Sequence, residues 1–497
     1  MGKQMQIIFL FLSLWTLSGC KVGPNFRLPE TPKNIRYNHT NKTVSAPSSA
    51  GTSQHLNYNQ DISSSWWKIF HSKELNALIA QGLHHNPTVE MSKARLRKAQ
   101  ANLLAVVGPE LFPVASTQFL ASRERNTLIA TGINITPLPG QQQLPFRFRN
   151  QFDLYGAGIS VSYNLDIFGG TRRQLEALRA AIDYERFELE ASYLALTGNI
   201  VTTSIIIASL HDQLKTMEDL IACQKHALKL TKNNYHLGHV SRLNVLESEN
   251  RLKETLANLP PIRNSLAKQY NALAVLIGSP PNASNLPHFK LSNLHLPSEL
   301  PLSLPSELIK QRPDVRSAES ILHKSSAEIG VATANLFPKF NIIGNYGWFS
   351  TTLSTLFNPM NNVWSYAGQV AQTLLKGGAL RAQRKMAIAE YEYALAQYRK
   401  IMIDAFVDVA NVLHSLEYDA ELLQAQANSE KNSLHQLNLI KTQYHLGKVN
   451  YLAVLHAKSA YLKNHLNVIQ AEAARYTDTA MLFQALGGGW WNRKSPA

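Results

Sequence analysis

His236 and His239 stand three residues apart, a spacing that on one helical face can bring two imidazoles to a metal ion. Gly238 falls between them at a turn, and two ligands without partners are too few for a metal site. No metal or other cofactor is expected. His84 and His85 read as exposed polar residues. Thiol chemistry is confined to Cys20 and Cys223, and Cys223 lies in a helical pattern where a cysteine acts as a small buried hydrophobe. No constellation supports an enzyme. The formal net charge is +15, but the basic residues are spread along the chain without a run of five or more. That is a solvated basic surface, not a nucleic-acid interface.

Cys20 is different because of what precedes it. Lys3 is followed by an apolar run from Ile7 to Leu17, too short to span a bilayer and typical of a secretory signal. Its end, Leu17-Ser-Gly-Cys20, resembles the lipobox of bacterial lipoproteins. The resemblance implies removal of residues 1–19 and lipidation of the Cys20 thiol. Lys21 follows where Asp would signal retention at the inner membrane, so the same resemblance points to the outer membrane. Cys223 would then be the one free thiol, and no intramolecular disulfide can form.

The elements around these residues occur twice. Tyr235-His-Leu-Gly-His-Val240 returns as Tyr444-His-Leu-Gly-Lys-Val449, Asn86-Pro-Thr-Val89 as Arg312-Pro-Asp-Val315, Leu111-Phe-Pro113 as Leu336-Phe-Pro338, and Gly169-Gly170 as Gly377-Gly378. The chain is an internal duplication, with an insertion in the first copy between Leu-Phe-Pro and Gly-Gly. Helical spacing runs from about Ser72 to Val107 and from Pro305 to Asn335, and Leu-Phe-Pro ends each stretch. The period then changes to two. Tyr155, Ala157, Ile159, Val161, Tyr163 and Leu165 alternate with small or polar residues, as do Phe340, Ile342, Gly344, Tyr346 and Trp348, although Ile343 breaks the rule.

Each half thus offers two strands of about ten residues, the length of a tilted transmembrane strand, with aromatics near the ends. Behind each Gly-Gly comes a long helical stretch. From Thr171 to Leu237 no proline occurs, and at 1.5 Å per residue such a helix reaches roughly 100 Å. Its partner returns from Ser241 to about Ile277, with a break expected at Pro260-Pro261. Gly238 and Gly447 suit the left-handed residue that closes a helix, and Ser241 and Asn450 suit the cap of the next. Four strands cannot close a barrel, and open edges in lipid cost several kcal/mol per unpaired group. If the strands cross a membrane, the chain must oligomerise.

The motifs Cys20-Lys-Val-Gly-Pro-Asn25, Trp66-Trp-Lys-Ile-Phe70, Leu165-Asp-Ile-Phe-Gly169, Arg312-Pro-Asp-Val-Arg316, Ile329-Gly-Val-Ala332 and Ala485-Leu-Gly-Gly-Gly-Trp490 occur in that order. With them the chain resembles TolC-type outer membrane efflux proteins, in the lipoprotein branch of OprM-like and NodT-like channels. The resemblance implies an α+β membrane protein. It would be a homotrimer whose twelve-stranded transmembrane β-barrel, four strands per chain, continues into a long α-helical coiled-coil periplasmic tunnel. It implies a passive conduit for small molecules, working with a periplasmic adaptor protein and an inner-membrane pump of RND type, in contact with outer membrane lipid and without nucleic acid. Conduits for type I protein secretion share this architecture, and a lipid-anchored structural coiled-coil protein of the envelope is the reading from another class.

Several boundaries follow as expectations. Residues 20–64 form a lipid-anchored extended segment. Residues 65–278 form a first repeat with a strand hairpin at about 113–166 and a helical tip near 238. A linker at 279–305 lies in the equatorial region. Residues 306–486 form a second repeat with a strand hairpin at about 338–375 and a tip near 447, and 487–497 a C-terminal tail. The resemblance makes the two turns the periplasmic tips, with Gly238, His239, Gly447 and Lys448 in adaptor docking. Tyr444 matches a tyrosine that narrows the aperture. The family's acidic gate positions fall on Ala453 and His456, and in the first repeat on Asn244 and Glu247. An Asp-based gate is therefore missing. If they face the lumen, three copies of His456 would titrate at about pH six to seven and move the pore's ion preference toward anions in acid; the alternative turns His456 toward a neighbouring helix, away from the lumen.

Overall fold

The computed structural model describes residues 21–30, 53–57, 61–126, 150–281, 286–302 and 305–493. The signal segment and Cys20 lie outside the described residues. After a short strand β1 (His55–Asn57) come α1 (Lys73–His85), α2 (Pro87–Leu111), β2 (Val114–Asn126), β3 (Asn150–Leu165), α3 (Gly170–His236), α4 (Arg242–Ala257) and α5 (Leu259–Leu276). A short β4 (Glu299–Pro301) precedes the second set: α6 (Pro305–Gln311), α7 (Pro313–Ala334), β5 (Lys339–Ser350), β6 (Asn362–Ala371), α8 (Ala379–His445) and α9 (Tyr451–Ala485). The two sets follow one order, and α3 and α8 are each 67 residues long. They differ where their sequences differ. The return helix of the first copy breaks at Asn258, just before Pro260-Pro261, whereas α9 runs on for 35 residues. The strands of the first copy have 13 and 16 residues against 12 and 10, and so take up part of its insertion. The rest falls in 127–149, outside the described residues.

Two compact units emerge, and each draws on both copies. One holds the described residues up to Arg27 together with Lys98–Ile182 and Ile321–Ala394; the other holds Leu28–Arg97, Asp183–Ser320 and Leu395–Ala497.

The first unit contains an antiparallel sheet in the order β2-β3-β5-β6. Its register aligns the alternating residues of all four strands. Thr117, Ile159, Tyr346 and Trp364 form one row across the sheet, and Ala115, Val161, Gly344 and Tyr366 another. On the opposite face lies the row Ser116, Ser160, Asn345 and Ser365, with Asn345 Nδ2 donating to Ser365 Oγ at 3.1 Å. Ile343 pairs with Ser162 and Ala367, so the one residue that breaks the alternation sits on the small polar face.

The same unit grips the start of the described chain. Arg173 is fully buried; its Nε donates to Val22 O at 3.0 Å, and Nη2 donates to Gly23 O at 3.1 Å and Asn25 Oδ1 at 2.9 Å. Glu176 collects Lys21, Arg173 Nη1 at 2.9 Å and His323 Nε2 at 3.0 Å. Burial alone would raise the Glu176 carboxyl, but hydrogen bonds from Lys21, His323 and Arg173 and the charge of Lys21 outweigh it and hold it down at about 2. Phe26 stacks on His323 with centroids 4.4 Å apart. Gly330 explains the Ile-Gly-Val-Ala motif. A Cβ there would lie 2.6 Å from Arg173 Cγ, and one on Gly23 would lie 2.5 Å from Gly330 Cα.

The second unit is built on helix packing. Met217, Leu220, Ile221, Cys223 and Ala227 of α3 pack with Leu252 of α4 and with Leu455 and Leu462 of α9. Leu437 of α8 packs on Val454 and Ala457 of α9. Cys223 is buried, its thiol donating to Leu455 O at 3.3 Å. Among described helices α3 alone has a stretch long and apolar enough to cross a membrane, and most of that stretch is buried, as in a core helix. The two tryptophan motifs lie in this unit. Trp66 stacks on Phe483 at 5.4 Å, and Trp490 Nε1 donates to Gln311 O at 2.6 Å. Gly489 has φ +73° and sits so near Ile62 O that a Cβ would lie 2.4 Å from it, which only glycine permits. Arg312 of the Arg-Pro-Asp-Val-Arg motif binds Asp314 at 2.7 Å and Asp408 at 3.0 Å.

Candidate functional site

Both helical hairpins turn with the same hydrogen bonds. In the first, Gly238 N–H donates to Tyr235 O at 2.9 Å and His239 N–H to Asn234 O at 2.8 Å. In the second, Gly447 N–H donates to Tyr444 O and Lys448 N–H to Gln443 O, both at 2.9 Å. This pair of bonds satisfies the last free carbonyls of a helix and needs one left-handed residue. The glycines supply it, with φ +77° and +72°. A Cβ would meet nothing within 4 Å at either position, so backbone conformation alone selects glycine here.

Ser241 and Asn450 are the caps of the helices that follow, as expected, with different surrounding bonds. Asn450 does accept from Ala453 N–H at 3.1 Å. The first turn adds a capping box, in which the amide oxygen of Asn244 accepts from Ser241 N–H at 3.1 Å and from Ser241 Oγ–H at 2.8 Å. The residue three positions into the helix decides the difference. Asn244 can reach back to the cap; Ala453 cannot.

Both tips offer apolar side chains to solvent. Leu237 and Leu446 are 68% and 64% exposed, and Tyr235, Leu243, Leu246 and Tyr444 are exposed beside them. His239 and Lys448 are exposed at the turns, as is His236. Exposed apolar side chains beside polar ones are the surface chemistry that protein partners cover. Among the described residues no three His, Cys, Asp or Glu side chains are placed to hold a metal.

The residues matched to the aperture fall in different surroundings. Tyr444 packs on Tyr451, with ring centroids 5.3 Å apart, and Tyr451 also meets His226 of α3 at 5.6 Å. Tyr451 thus ties the second turn to the first hairpin. Its position, seven residues beyond Tyr444, was the only hint in the sequence. Asn244 and Glu247 are exposed on α4, Ala453 is half-buried on α9, and Lys232 of α3 pairs with Glu249 at 2.6 Å. His456 lines a groove of about 230 Å³ with Gln224, Ser248, Arg251 and Lys463. Partial burial first, and then the positive charge of Arg251, push its imidazole below the ordinary value. The shift is downward from the expected titration, and its second cause, Arg251 beside this ring, has no signal in the spacing of the residues.

The sheet presents the other functional surface. Phe119, Ile159, Tyr346, Trp364, Tyr366 and Val370 are exposed on its apolar face. Such a face is unfit for water and fit for the hydrocarbon of a bilayer. In the order β2-β3-β5-β6 each outer strand pairs on one side among the described residues, and four strands are too few to close a barrel.

The model of the outer membrane efflux protein family matches residues 78–279 and 304–488. The pyoverdine export outer membrane protein OpmQ of Pseudomonas aeruginosa is 27% identical over 86% of this chain and 87% of its own length. The probable efflux pump outer membrane protein TtgC of Pseudomonas putida is 24% identical over 99% of this chain and 97% of its own. The solved structure of the outer-membrane channel OprN superposes with a TM-score of 0.80 at 26% identity, covering 95% of this chain and all of that one. Duplicated helical hairpins, a four-stranded sheet with one lipid-compatible face, and these likenesses agree: the chain belongs to the outer membrane efflux protein family and is an outer-membrane channel of an efflux system.

Proposed function

We propose that this protein is the outer-membrane exit duct of a tripartite pump of RND type, anchored by a lipid on Cys20. Three copies place their sheets edge to edge as a twelve-stranded barrel, and six helical hairpins surround the periplasmic end. The adaptor docks on the two turns, through Gly238, His239, Gly447 and Lys448 and the leucines beside them. Tyr444, Asn244, Glu247, Ala453 and His456 belong to the narrowed periplasmic end. Small molecules pass without chemical change. OpmQ is named for pyoverdine export, and pyoverdine is one cargo to test here.

The observation that carries this reading is the four-stranded sheet, apolar and aromatic on one face, whose order leaves two outer strands to pair elsewhere. The test is a strain lacking the chain, complemented with wild type or with Leu237→Asp and Leu446→Asp together. Efflux of a fluorescent substrate should return with wild type and fail with the double variant, while both proteins reach the outer membrane in equal amount. Full efflux by the double variant would remove the turns from docking. Retention of the protein in the inner membrane would remove the duct assignment.

A further inference from the structure

The segment between the two repeats returns to the helices through His288. Its Nδ1 lies 3.5 Å from the Oη of Tyr270 on α5, and Nε2 of His211 on α3 lies 2.7 Å from the same oxygen. The two imidazoles meet edge to face, with centroids 5.2 Å apart. Leu291 N–H donates to Asp212 Oδ2 at 3.3 Å, which keeps the linker beside His211. Three donor atoms of metal-binding type therefore converge from three separate elements, two of them well apart in sequence from the linker.

A hydrogen-bonded chain explains only the shorter contact well; 3.5 Å is at the outer limit for the other. A shared metal ion fits the separation of the two rings, and on binding it would replace the 2.7 Å hydrogen bond, since two donors on a tetrahedral ion lie about 3.4 Å apart. A ring nitrogen binds zinc at about 2.1 Å, and the ring centre lies about 1.1 Å beyond it, so two imidazoles on a tetrahedral ion have centres about 5.2 Å apart. The observed separation is 5.2 Å. The donor set of two imidazoles and a phenol oxygen suits divalent transition metals of the zinc type, not calcium or magnesium. His288 is exposed, and His211 and Tyr270 are half-buried, so an ion can enter from solvent and keep a water as its fourth ligand.

We propose that His211, Tyr270 and His288 form a binding site for one divalent transition-metal ion, which fastens the inter-repeat linker to α3 and α5. Coordination by Tyr270 Oη releases its proton to solvent. The pair His236 and His239, which straddles the turn glycine Gly238, serves as the control.

The test uses the purified full-length protein in detergent, dialysed against buffered free Zn²⁺, with bound zinc counted by mass spectrometry. Wild type should hold one more zinc per chain than His288→Ala, a variant in the exposed linker that leaves the helices intact. Tyr270→Phe keeps the ring packing and should weaken binding about tenfold or more. Replacing His236 and His239 together by Ala should leave that zinc in place. Zinc should also slow cleavage of the linker by added protease in wild type but not in His288→Ala. Equal zinc content in wild type and His288→Ala, or no zinc in either at micromolar free metal, would overturn the proposal and leave a hydrogen-bonded His–Tyr–His chain.

Discussion

Replacing Glu176 by Gln should loosen residues 21–27 at neutral pH and leave them little changed in strong acid. Glu176 holds Lys21, Arg173 and His323, and these contacts keep its carboxyl at about 2 against an ordinary 4.5. That difference corresponds to about 3.4 kcal/mol at most. The side chain is 18% exposed, and solvent screening brings the working figure to about 1–2 kcal/mol. Because the folded carboxyl is depressed, its stabilisation is complete above about 4.5 and is lost as pH falls toward 2. Hydrogen exchange of the 21–27 peptide reads this locally, since Val22 N–H is bonded to Phe168 O. At pH 7 the Glu176→Gln peptide should exchange about 5- to 30-fold faster than wild type, and near pH 2 the two should nearly coincide. Equal exchange at pH 7, or a gap unchanged in acid, would refute the argument. The first result would mean that Arg173 alone holds the segment.

Other outcomes follow from single residues. Phe119→Arg, on the exposed apolar face of β2, should cost about 2–4 kcal/mol in a membrane and reduce assembled protein in the outer membrane, whereas Ser160→Thr on the other face should not; quantitative blotting of membrane fractions distinguishes them. Gly447→Ala should cost about 1 kcal/mol through its φ of +72° with no clash, seen as a small loss of melting temperature and unchanged expression. Burial and Arg251 depress the His456 imidazole, so any turn of the pore toward anions should begin below the pH of a free imidazole, and Arg251→Gln should raise that point. Bilayer conductance across a pH series checks this, and a midpoint unaffected by the Arg251 change would separate His456 from the effect.

Local signals carried well from sequence to structure. Alternation along Tyr155–Leu165 and Phe340–Trp348 marked β3 and β5, because the period of a strand is written in adjacent residues. Gly238 and Gly447 marked the turns, because a left-handed residue is a local demand. Contacts between distant positions were not legible. Arg173 reaches Gly23 across 150 residues, and no periodicity encodes that reach. The surroundings of His456 depend on how α9 is rotated against α3 and α4, which heptad spacing does not fix. Ser241 was legible as the cap of α4, but the part of Asn244 in its capping box was not, because that side chain stands three residues on.

The claim that three copies close one barrel can be tested by pairing its free edges. Ser116 of β2 and Ser365 of β6 lie in the same polar row, at opposite sides of the sheet. With Cys223 replaced by Ser, the variant Ser116→Cys with Ser365→Cys should oxidise in outer membranes to covalent dimers and trimers and stop at trimer. Neighbouring residues of both strands can be scanned to find the register. Bands that continue past trimer, or monomer alone while each cysteine reacts freely with a thiol reagent, would contradict the closed three-copy barrel.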